Sequence, residues 1–75
     1  MYAVMMDCKN LEIFIYDVDI HNFEELYEFR RTYNNPDNYA SPLLYPDYIT
    51  ALETVSETVK RRNWTYNTDR NIIMR

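Results

Sequence analysis

The chain of 75 residues contains no glycine. Average usage would supply about five. Phosphate-cradling loops, dinucleotide fingerprints and P-loops need backbone that a Cβ blocks, so all three are excluded. Hairpin turns built on glycine are excluded as well, and turns must lean on Asn, Asp and Pro. The single cysteine, Cys8, rules out a disulfide framework within the chain. Beside a hairpin turn it reads as a packed or idle thiol. Ser41 and Ser56 are the only serines and His21 the only histidine. With no local nucleophile–base motif, the chain reads as a non-enzyme that needs no cofactor. No apolar run approaches the ~18–20 residues of a membrane span, and residues 1–6 lack the charged start and cleavage site of a secretory signal. The expectation is a soluble, cytoplasmic protein with no membrane partner. Without a secretory route, the acceptor pattern Asn63-Trp64-Thr65 reads as accidental.

What is present describes one small globular domain over residues 1–75. Apolar residues make up 47% and aromatic residues 16%, far above a disordered tail, and the length allows one core only. The net charge of −4 is unevenly spread. Asp7, Glu12, Asp17, Asp19, Glu24, Glu25 and Glu28 crowd the first part against Lys9 alone, while the bases gather at Arg30–Arg31 and between Lys60 and Arg75. An acidic half discourages phosphate backbones and steers basic protein surfaces.

Tyr2–Met6 and Leu11–Ile20 read as strands joined by a hairpin at Asp7–Asn10, with Asn10 in the left-handed conformation. In the second strand Phe14, Tyr16, Val18 and Ile20 share one face, and Leu11, Ile13 and Ile15 the other. Asn22 caps a helix, with Glu25 three residues on as in a capping box and Phe23, Leu26, Phe29 and Tyr33 as its apolar stripe. Asn34–Pro46 reads as a connecting loop. Pro46 fits the first turn of a second helix, with Asp47 beside it, an apolar stripe of Tyr48, Leu52, Val55 and Val59, and Asn63 as its stop. Trp64–Tyr66 and Asn71–Met74 look extended, as a hairpin or as one interrupted strand. The order β-β-α-α-β, with room for a fourth strand, argues for an α+β domain. Its sheet would be small and mostly antiparallel, with both helices packed on one face.

Three constellations are candidate sites. Asp17, Asp19 and His21 alternate along a strand and would place two carboxylates and an imidazole in a row, a weak metal site. That row spans about 13 Å, too far for one ion unless the chain curls, and a solvated strand face, with Asp19 supporting the helix start, is the favoured account. Arg61 and Arg62 precede Trp64 and Tyr66, a basic-aromatic pattern suited to single-stranded nucleic acid. Helix-end bases and a core tryptophan are the plainer account, and the acidity of the chain is wrong for such a binder. Tyr33, Tyr39, Tyr45 and Tyr48, set among Asn, Asp, Ser and Pro, have the composition of a recognition loop.

The reading these features favour is a small acidic protein–protein interaction module, an accessory or inhibitor protein of viral or phage style. Its partner would be another protein with a basic surface, met by Glu24, Glu25, Glu28, Tyr39 and Tyr45. The alternative is a single-stranded nucleic-acid binder using Arg61, Arg62, Trp64 and Tyr66; a metal-dependent enzyme is a distant third. Two helices on one face would leave Leu11, Ile13 and Ile15 bare, to be covered by the C-terminal segment with Ile72, Ile73 and Met74 or by a second copy. The short segment favours the second, a homodimer through that face or through an edge strand.

Overall fold

The computed structural model describes residues 1–73; Met74 and Arg75, and with them the end of the predicted Asn71–Met74 strand, lie outside the described residues. β1 (Tyr2–Asp7) and β2 (Glu12–Asp17) form an antiparallel hairpin, with Tyr2 opposite Asp17 and Asp7 opposite Glu12. The turn is built without glycine. Oδ1 of Asp7 accepts from the backbone N–H groups of Lys9 and Asn10, both at 3.0 Å. The left-handed residue is Leu11, at φ 56°, and not Asn10 as the sequence suggests. The Asn10 side-chain amide is spent on Asp7 at 2.8 Å. The reversal of twist then falls one residue later, as in hairpins where a left-handed residue follows a type I turn.

α1 (Phe23–Tyr33) starts as expected: Oδ1 of Asn22 accepts from the Glu25 N–H at 3.2 Å. The Glu25 carboxylate reaches past the cap and accepts from the Asp19 N–H at 3.3 Å. Phe29 is buried, with Leu26 and Tyr33 half-buried beside it. Phe23 is the exception, at 84% exposure. At about 100° per residue it stands roughly 90° from the centre of Leu26, Phe29 and Tyr33, at the edge of the stripe.

β3 (Leu43–Tyr45) lies in the stretch that the sequence presents as loop alone. Three residues between Pro42 and Pro46 carry no readable alternation, and pairing with Tyr2–Val4 of β1 makes them a strand. α2 (Tyr48–Arg62) follows, capped by Asp47, which accepts from the Thr50 N–H at 3.1 Å and the Thr50 hydroxyl at 2.9 Å. Pro46 therefore precedes the cap instead of occupying the first turn. Asn63 ends the helix in the left-handed conformation, as expected.

β4 (Thr65–Tyr66) runs parallel to β2, beside Glu12 and Ile13. A single 3₁₀ turn at Thr68–Arg70 lifts the chain off the sheet, and Ile72 returns to it opposite Tyr16. The segment is thus one interrupted strand, not a hairpin. Oδ1 of Asn71 bridges the interruption by accepting from the Ile15 N–H at 2.8 Å, where a strand carbonyl would otherwise stand.

The sheet order is β3-β1-β2-β4, mostly antiparallel, and the α+β class holds. The expected placement of the helices does not. Ala3, Met5, Phe14 and Val18 pack with Phe29 of α1, whereas Val4, Ile13 and Ile15 pack with Ala51 and Val55 of α2. The two helices cover opposite faces. Their connections explain why: β2–α1–β3 crosses the sheet in one direction and β3–α2–β4 in the other. Two crossovers of the same hand that run in opposite directions must lie on opposite faces.

The correction reaches the proposed self-association face. Ile13 and Ile15 are fully buried beneath α2, and only Leu11, in the turn, is exposed. The cover sought from a second copy is supplied within the chain.

Candidate functional site

The most connected polar group of the protein surrounds Arg70. Its Nη1 donates to Oδ2 of Asp7 and Oε1 of Glu12, each at 2.8 Å, and its Nη2 donates to the Tyr39 hydroxyl at 3.0 Å. The guanidinium also sits 4.3 Å above the centre of the Phe14 ring. Asn67 donates to the second Glu12 oxygen at 3.0 Å. Burial works to raise the Asp7 pKa, but the bonds from Arg70, Asn10 and Lys9 outweigh it and hold the carboxyl below its ordinary value. Arg70 is raised by Asp7 first, against desolvation, and by Glu12 and Tyr39. This cluster clamps the terminal segment to the β1–β2 hairpin. Its hydrogen bonds are committed to the fold. Arg70 sits in a turn-like stretch with no local pattern, and no signal in the sequence links it to Asp7.

The row Asp17, Asp19, His21 does not form, because β2 ends at Asp17. Asp19 instead accepts from the His21 N–H at 3.0 Å through Oδ1, an arrangement that leads into the α1 cap. Among the described residues no three His, Cys, Asp or Glu side chains are gathered as a metal would need.

Trp64 and Tyr66 share a face, as their spacing implies, but that face packs against the core under α2. Asn71 donates to the Tyr66 hydroxyl at 2.7 Å, and burial raises the Tyr66 pKa. The Arg62 guanidinium lies 5.9 Å from the Trp64 ring, with Arg61 exposed beside it. Rings committed to a core are not open platforms for bases.

The tyrosine-rich connection turns inward too. Tyr39 meets Tyr33 edge-on at 5.2 Å, and its hydroxyl is taken by Arg70. Tyr45 packs on the α2 side, as does Tyr48, whose ring lies 5.3 Å from that of Tyr2. Tyr33 is raised in pKa by burial, then by Tyr39 and Tyr16. Tyr39 and Tyr45, expected to face a partner, are half-buried and pack against the core.

The outward aromatics lie elsewhere. Phe23 and Tyr27 are 84% and 66% exposed. One helical turn apart, they stand about 40° from each other around α1 and form a ridge. Glu24 and Glu28 lie along one side of that ridge, both exposed, with Arg30 on the other, whereas Glu25 is half-buried by its reach toward Asp19. Glu28 is tied to Arg31 at 2.6 Å. Behind the ridge, α1, the loop at 34–42 and Leu44 of β3 enclose an apolar cleft of about 410 Å³ floored by Val18 and Phe29. Leu26 and Arg30 border both the cleft and the ridge, making one continuous surface. The sequence offered one clue to the ridge: Tyr27 falls outside the apolar stripe of α1, whereas Phe23 reads as part of it and stands at its edge.

Compared with known proteins, the chain matches no family model, no curated protein and no solved structure.

Proposed function

We propose that the chain is a small acidic binding module, of the accessory or inhibitor kind, that modulates another protein by presenting the outer face of α1 to it. The observation that carries this reading is the exposure of Phe23 and Tyr27 on a helix whose apolar need is already met by Leu26, Phe29 and Tyr33. Large aromatics left in water on a rigid helix, bordered by charge, are the usual anchors of a protein interface. The partner surface is apolar at its centre and basic at its rim, facing Glu24 and Glu28. Phe23 and Tyr27 replace Tyr39 and Tyr45 as the aromatic contacts.

Affinity capture on the immobilised chain, paired with the Phe23→Ser/Tyr27→Ser variant, tests this. The expected result is one stoichiometric protein retained by the native chain and lost by the variant, with circular dichroism unchanged. Equal retention by both overturns the proposal. Salt-sensitive retention of single-stranded DNA, lost on Arg61→Ala/Arg62→Ala, would put the nucleic-acid reading in its place.

A further inference from the structure

β3 is an edge strand, so alternate backbone N–H and C=O groups along Leu43–Tyr45 have no strand beyond them. Such edges are guarded by charge, by proline or by shortness. This one is short and bounded by prolines but has no charge: residues 38–46 carry no charged side chain in a chain that is 27% charged. Leu43 and Leu44 are 42% and 51% exposed, and their register against Val4 and Ala3 puts them on opposite faces of the sheet. Pro42 and Pro46, lacking N–H groups, limit any added ladder to the three residues between them.

We propose that a second copy of this chain occupies this edge, with β3 pairing antiparallel to β3 about a two-fold axis through Leu44. That register sets Leu44 against its own counterpart and Leu43 against Tyr45 of the second copy. Pro42 falls against Pro46, where neither strand has a donor to offer. Asp47 falls against Ser41, so no like charges meet although each copy carries −4. Any occupant gains a ladder of three residues here; a second copy adds to it a matching proline-bounded window, free of charge, and a symmetry-related pair of leucines. The opposite edge is interrupted by the 3₁₀ turn and occupied by Asn71, so pairing closes at two copies instead of continuing into a fibre. The inference does not rest on the α1 face.

The test is light scattering at about 200 µM, since an interface this small gives a weak dimer. The native chain is expected at twice the monomer mass, and Leu44→Lys at the monomer mass with unchanged circular dichroism. In a Cys8→Ser background, Leu44→Cys is expected to cross-link to a dimer on mild oxidation, while Leu11→Cys, equally exposed in the turn, does not. A monomeric native chain, a Leu44→Lys variant that stays dimeric, or equal cross-linking from both cysteines overturns the proposal.

Discussion

Arg70 Nη1 lies 2.8 Å from Oδ2 of Asp7, a bond that joins positions 63 residues apart. Asp7 is almost fully enclosed, with 3% of its side chain exposed, while Arg70 keeps 28%. The pair sets the terminal segment along β2 and ties it to the turn end of the hairpin, where Asp7 faces Glu12. Arg70 is the cation that balances this carboxylate, beside the neutral donors of Lys9 and Asn10.

Replacing Arg70 by Met leaves the Asp7 charge buried without its cation. The expected cost is about 2–3 kcal/mol, below the 3–5 kcal/mol of a fully enclosed pair because the guanidinium is partly solvated. Arg70→Lys recovers only a fraction, since a point charge cannot serve Asp7, Glu12 and Tyr39 together. Urea denaturation of the three proteins measures both.

Acid should weaken the fold in a defined window. The Asp7 carboxyl has a folded pKa below its ordinary 3.8, so the unfolded chain binds more protons as pH drops. Its stabilisation is complete above that ordinary value and is lost as pH falls through the folded one. Asp47, lowered by the Thr50 hydroxyl and amide, acts in the same direction. The Tm is expected to hold from pH 7 to about pH 4 and to decline below it, with a shallower decline in Asp7→Asn.

The two phenylalanines of α1 should behave oppositely. Phe29→Ala removes a ring enclosed by Tyr16 and Tyr33, whose centres lie 5.1 and 5.5 Å away, and is expected to cost about 3 kcal/mol. Phe23→Ala changes stability by no more than about 0.5 kcal/mol. Thermal melts of the two variants side by side decide it.

Leu11 holds a left-handed conformation that costs an L-residue with a Cβ about 1–2 kcal/mol. Leu11→Gly relieves that strain while keeping the backbone carbonyl that accepts from the Thr65 N–H at 3.1 Å. A net gain of about 1 kcal/mol is expected after the extra unfolded-state freedom of glycine. Leu11→Val, β-branched at positive φ, should lose stability in the same urea titration.

Most of the local structure was legible because its causes are local. Asn22 and Glu25 announce α1, Asp47 and Asn63 bound α2, and alternation marks β1 and β2 within a few residues. β3 was not legible, because a three-residue strand between prolines exists only by pairing with β1. Of the acids of α1, Glu24 and Glu28 are exposed where periodicity puts them, whereas Glu25 turns back to Asp19. Tyr39 and Tyr45 pack against the two core clusters, through contacts with residues far away in the chain.

The sequence by itself determined an α+β domain without glycine loops, and a helix with an acidic outer face. The tertiary structure alone decided which face each helix covers, and therefore that Ile13 and Ile15 are core while Phe23 and Tyr27 meet water. The physical reason is that alternation gives a strand two faces without saying what lies over each. The order of strands in the sheet and the shared hand of the two crossovers settle that, and both depend on contacts between residues far apart in the chain.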